Sequence, residues 1–171
     1  MARGRFVASI TADGDDGRTR VITVTTDTGA EVDTSALEPG QRLVVTGSGF
    51  DGSQGIYVAI CVIPADATIK PGPCLGGVPE QTETQAEVGT IEFAPSNWIN
   101  DDWAWKLFGA RGYDDVAAGT FTAYLEVGEA KGKDFDCTVD ACGIFTRNDH
   151  TALGDRVQDL YVPVAFATSV G

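Results

Sequence analysis

Leu43-Val44-Val45-Thr46-Gly47-Ser48-Gly49-Phe50, then Gly52 and Gly55, then Ile56-Tyr57-Val58-Ala59-Ile60-Cys61-Val62 is the stretch that decides the fold. Two runs rich in β-branched and aromatic residues are separated by glycines that supply turn conformations. The second run is apolar on both of its alternating faces, which predicts a strand covered on both sides and ending at a cysteine. Upstream, Val21-Ile22-Thr23-Val24-Thr25 alternates with period two, and Phe6-Val7-Ala8-Ser9-Ile10 reads as a further short strand across the turn-rich Asp13-Gly14-Asp15-Asp16-Gly17. Those two form either a hairpin or separate edge strands. Downstream, Thr120 to Val127 places Phe121, Ala123, Leu125 and Val127 on one face, and that face should enter a core. Phe135 to Cys137 and Gly143 to Thr146 flank a short cysteine loop, and Val157 to Phe166 closes the chain as a last strand. Seven or more short strands between turn signals indicate an all-β, two-sheet sandwich.

The four cysteines fall into two sequence-local pairs, Cys61 with Cys74 and Cys137 with Cys142. Four cysteines allow three connectivities, and the local one closes each short loop without requiring distant strands to converge. An even count in a β pattern predicts structural disulfides and therefore an oxidising compartment. Neither pair has zinc-knuckle spacing, and His150, the one histidine, lacks a second at ligand spacing, so no metal is expected.

A chain of 171 residues suits one domain, 1–171, with 1–19 as an N-terminal edge extension and 75–116 as an inserted connection. The formal charge of −13 repels phosphate backbones and anionic lipid surfaces, which excludes nucleic acid as an expected partner. No apolar run approaches the roughly twenty residues that span a bilayer, and Met1-Ala2-Arg3-Gly4-Arg5 is not followed by a signal-type apolar core. The expectation is an extracellular or cell-surface protein whose signal was removed before Met1, or a part of a longer chain.

Between Pro64 and about Asp115 the pattern blurs into an elaborated connection carrying Pro64, Pro71, Pro73, Pro79 and all three tryptophans. Trp98, Trp103 and Trp105, with Phe93 and Phe108, form either a satellite core beneath that connection or a contact surface. Asp149-His150, with Arg147, Asp155 and Arg156, offers an acid, a base and cations, but no nucleophile accompanies them and no G-x-S-x-G elbow exists. A turn held by Asp–backbone bonds and Arg–Asp pairs is the reading here, with no catalytic residues. Asn100-Asp101-Asp102 and Asp13 to Gly17 share calcium-loop composition without completing its twelve-residue pattern.

Gly47-Ser48-Gly49-Phe50 followed by Tyr57-Val58-Ala59-Ile60-Cys61, and the loop Asp136-Cys137-Thr138-Val139-Asp140-Ala141-Cys142, resemble the neocarzinostatin family of actinobacterial apoproteins, which carries G-x-G-[FL] and D-C-T-x-x-A-C motifs. The similarity covers residues 20–75 and 117–167. It implies an immunoglobulin-like Greek-key sandwich of about seven strands with two local disulfides, plus here an extra N-terminal strand. It also implies a cleft with Cys61 and Cys74 at its floor, Ile63 close by and Gly143 to Arg147 along one wall. Characterised members hold an enediyne chromophore there without acting on it. This chain departs from the pattern: Ile63 replaces an expected aromatic, and Gly128 to Lys133 is a shortened segment. The resulting expectation is a non-catalytic binding domain, not an enzyme, with no cofactor, taking a small hydrophobic molecule or another protein at Ile63, Trp98, Trp103, Trp105, Phe145 and Arg147. The alternative is an assembly module, with self-association through the N-terminal strand.

Overall fold

The computed structural model describes residues 8–75, 93–102, 110–132, 134–152 and 154–167. Eight strands run in the order β1 (Ser9–Asp13), β2 (Thr19–Thr26), β3 (Arg42–Ser48), β4 (Ile56–Val62), β5 (Ser96–Ile99), β6 (Phe121–Glu126), β7 (Cys142–Asn148) and β8 (Leu160–Val164). They form two antiparallel four-stranded sheets, ordered β1-β2-β3-β6 and β5-β4-β7-β8. The chain crosses between sheets after β3, β5 and β6, the Greek-key manner of a two-layer sandwich.

Period-two alternation builds the core. Ile22 and Val24, Leu43 and Val45, and Phe121, Ala123 and Leu125 point inward from the first sheet. Ile56, Val58, Ile60, Ile144, Val162 and Val164 meet them from the second. Each large aliphatic or aromatic side chain removed from water contributes about 1.5–3 kcal/mol. In the register Ile22↔Gly47↔Phe121, Gly47 has no side chain because a Cβ there would run into the Phe121 ring. Phe121 packs edge-on against Phe50, with centroids 5.1 Å apart.

A buried polar knot ties one end of the sandwich together. Arg20, fully buried, donates through Nη1 and Nη2 to the Asp16 carboxylate at 2.9 and 2.6 Å, and through Nε and Nη2 to Gln158 Oε1 at 3.2 Å each. Gln158 Oε1 also accepts from the Asp51 amide at 2.7 Å, and its Nε2 donates to Asn148 Oδ1 at 3.0 Å.

Several sequence expectations shift. β1 and β2 form a hairpin, with Ser9 opposite Thr23, but β1 is Ser9–Asp13; Phe6 and Val7 lie outside the described residues. Strand β5 lies inside what reads as an irregular connection. It forms because β4 offers an unpaired edge and because the Asn97 side-chain amide bonds the Tyr124 backbone on both sides, at 2.7 and 3.1 Å, closing the edge of β6. The last strand is shorter than 157–166, and Arg147 lies within β7, not in the turn that carries Asp149 and His150.

Candidate binding face

The outer face of the second sheet is built by the odd-numbered residues of β4 and β7 and their neighbours. Tyr57 pairs with Trp98 on one side and Arg147 on the other; Ala59 pairs with Ser96 and Phe145, and Phe145 with Tyr161; Cys61 pairs with Gly143, and Gly143 with Pro163. Both β4 and β7 are buried along almost their whole length. An antiparallel sheet with one solvated face would place polar residues at these positions. Instead the rows are aromatic around a centre of small side chains, Ala59 and Gly143.

The Cys61–Cys74 disulfide edges this face, and the Cys137–Cys142 disulfide closes the short loop before β7; among the described residues no cysteine is free. The ribbon carrying Cys74 continues the ladder of β4 beyond β5: Val62 N donates to Pro73 O at 3.0 Å and Leu75 N to Ile60 O at 2.8 Å. Ile63, half-buried, and Tyr161 pack with Cys74 against Ala59, Cys61 and Phe145. The Phe145 and Tyr161 rings are stacked, with centroids 4.7 Å apart.

At the other end, the rings of Tyr57, Trp98 and His150 cluster. Tyr57 Oη and His150 Nδ1 are 2.9 Å apart, and the imidazole lies 5.4 Å from the Trp98 ring. Burial is the main reason that the Tyr57 hydroxyl titrates above its ordinary value. Asp149 is fully buried behind this cluster. Its Oδ2 accepts from Trp98 Nε1 and Asn100 Nδ2, each at 2.9 Å, and its Oδ1 from Gln54 Nε2, Thr151 N and Thr151 Oγ1 at 3.1, 2.9 and 2.6 Å. Burial alone would raise the pKa of this carboxyl, but the donors converging on it outweigh that and hold it below the usual range. A carboxylate so saturated fixes a turn and has no lone pair to spare for a substrate proton.

Arg147 lies with its guanidinium over the Tyr57 ring, 5.4 Å from the centroid. Arg156 pairs with Asp159 at 3.2 Å, and the Asp155 carboxylate accepts from Val157 N, so the charges near His150 are spread over separate contacts. Asp159 titrates at about 7, because burial outweighs the attraction of Arg156 and Arg147. A polar depression of about 370 Å³ lies at this end, lined by Gly52, Gly55, Asn100, Asp102 and Thr151 among others. Among the described residues no group of three or more His, Cys, Asp or Glu is placed to hold a metal ion, and no helix is long and apolar enough to cross a membrane.

Of the residues singled out by sequence, the structure brings Ile63, Phe145, Arg147 and Trp98 onto one sheet face, all but Ile63 buried there. Gly143, Phe145 and Arg147 lie along β7 on that face. Trp103 and Trp105, with Phe108, lie outside the described residues. Tyr57, Ala59 and Tyr161 were not singled out; their alternation with core positions was the signal, since every second residue of a doubly covered strand faces the other side.

No protein-family model matches the chain. The thiamine biosynthesis protein X of Corynebacterium glutamicum is 31% identical over 138 residues, 81% of this chain and 62% of that protein, so the chain spans about three fifths of this relative. Among solved structures, macromomycin aligns at 18% identity with a TM-score of 0.44, covering 85% of this chain and 99% of its own.

Proposed function

We propose that this chain is a non-catalytic binding domain, exported or displayed at the cell surface, that holds a small hydrophobic molecule against the outer face of the second sheet, beside the Cys61–Cys74 ribbon. The observation that carries the reading is the makeup of that face: Tyr57, Ala59, Cys61, Phe145 and Trp98 stand where a solvated sheet would carry polar side chains. Those side chains are themselves buried, and Ile63 and Tyr161, partly exposed where they pack on Phe145, are where an apolar molecule would meet the face at low entropic cost. Asp149, the carboxylate behind it, is committed to structural hydrogen bonds, which supports retention over turnover. Two local disulfides suit an oxidising compartment. In this reading residues 1–171 work as one sandwich domain, with 1–19 as an edge extension and 75–116 as an insertion.

The test is an NMR titration of the full chain with a panel of polycyclic aromatic compounds. Thiamine joins the panel on the strength of the relative's name. Saturable shifts at Tyr57, Phe145 and Ile63 are expected; resonances of this face that stay unmoved by the whole panel would sink the reading.

A second reading, an assembly module, is favoured by β1, which stands at the margin of the first sheet with β2 as its ladder partner. Light scattering across a range of concentrations decides it, and a constant monomer mass removes its motivation.

A further inference from the structure

Arg147 is buried to all but 6% of its surface, yet among the described residues its guanidinium makes no hydrogen bond and no ion pair; its contact is the Tyr57 ring. Arg20 shows how this protein otherwise treats a buried guanidinium, with a bidentate carboxylate and a glutamine oxygen. Burial is the main cause that depresses the pKa of Arg147, and the attraction of the Tyr57 hydroxyl and of Asp159 opposes it only in part. Stacking on Tyr57 occupies the flat face of the group and leaves the edges of its donor fork unspent.

Two more cations act on the same place. Lys70 and Arg156 both lie within the electrostatic reach of Arg147, and Arg156 is anchored on Asp159 at 3.2 Å. Arg147 and Arg156 thus share one carboxylate, Asp159, with Lys70 as a further cation in reach, in a chain whose net charge is −13. That carboxylate is a weak counter-ion for Arg147, since it is shared with Arg156 and burial favours its neutral form up to a pH of about 7.

We propose that the molecule held on this face carries an oxyanion, a carboxylate or a phosphate, which seats on the Arg147 fork with Arg156 and Lys70 adding attraction, while its apolar body lies along Phe145 and Tyr161. The inference rests on the outer face being the ligand site and adds the chemical class of the ligand. Bidentate recognition of a planar or tetrahedral oxyanion is what a guanidinium fork does best. A site largely removed from water strengthens that attraction.

The test uses calorimetry and NMR on the full chain with biphenyl-4-carboxylate, biphenyl-4-yl phosphate, the neutral biphenyl-4-carboxamide and inorganic phosphate. One of the aromatic anions should bind at least about tenfold tighter than the amide. Arg147→Gln should abolish that preference, so that anions and amide bind this variant with equal affinity, and Arg147→Lys should restore part of it. Equal binding of anions and amide overturns the oxyanion inference and leaves the hydrophobic face standing; no binding by any aromatic probe overturns both. Inorganic phosphate binding as tightly as the aromatic phosphate would overturn the role of the apolar body. Should Arg147→Gln fail to fold by circular dichroism, Arg156→Gln replaces it, with a selective loss of anion affinity expected and an unchanged preference overturning the proposal.

Discussion

Gln158 is the joint on which the closed end of the sandwich depends, and Gln158→Met tests it at nearly constant volume. Its side chain is fully buried and makes four hydrogen bonds to three other segments: two from Arg20 in β2, one from the Asp51 amide between β3 and β4, and one to Asn148 in β7. Methionine fills the space but returns none of them. Losing the neutral bonds to Asp51 and Asn148 costs about 1 kcal/mol each, and losing the charge-assisted contact with Arg20 a further ~1.5–3 kcal/mol. The Asp16 pair still holds the guanidinium, which favours the lower end and gives a total of about 4 kcal/mol. For a chain of this length that is a fall in Tm of roughly 8–16 °C. Urea unfolding followed by circular dichroism would measure it, and a double-mutant cycle with Arg20→Met should show coupling of at least about 1 kcal/mol. A loss under about 1 kcal/mol, or no coupling to Arg20, would refute the claim that this knot holds the two sheets together.

Removing the Cys61–Cys74 bridge by paired alanine substitution should cost about 3 kcal/mol, against about 2 kcal/mol for the smaller Cys137–Cys142 loop, since their sequence separations are 13 and 5; denaturation of the two double variants compares them, and mass analysis of unreduced protein should find no free thiol among the four. Gly49 adopts φ +76° and a Cβ there would collide with Thr19 O, so Gly49→Ala should destabilise by about 2–4 kcal/mol in urea unfolding, while alanine at Gly17, φ +81° in open space, should cost only about 1 kcal/mol. Asp159 supplies a pH dependence: its folded pKa is raised from 3.8 to about 7, so the folded state retains a proton that the unfolded state releases. Stability should therefore fall as pH rises from about 4 to about 7, by up to about 4 kcal/mol, and Asp159→Asn should flatten that slope in unfolding curves taken across the window.

The strands that were legible are those in which period-two alternation meets a covered core. Phe121, Ala123 and Leu125 declare an inward face on their own, and the apolar run from Ile56 to Val62 declares a strand covered on both sides. β5 was hidden because four residues, Ser96-Asn97-Trp98-Ile99, are too few to show a period, and the edge of β4 and the Tyr124 backbone that order them lie far away in the chain. Arg20 and Gln158 read as surface residues by composition; 138 positions apart, they become core only once the sheets have closed.

The binding face has the same origin. Tyr57 and Arg147 stand ninety residues apart, and no local pattern joins them; the register of β4 on β7 does, and that register is set by the core. A slip of one residue would turn Arg147 and Phe145 inward and expel Ile144, which is completely buried between the sheets. Ile144 and Ile60, cross-strand partners on the core side, thereby fix which side chains face out, and so place a guanidinium over an aromatic ring on the opposite face. It follows that Ile144→Thr, buried and lacking a partner for its hydroxyl, should weaken the alignment that brings Tyr57 and Arg147 together.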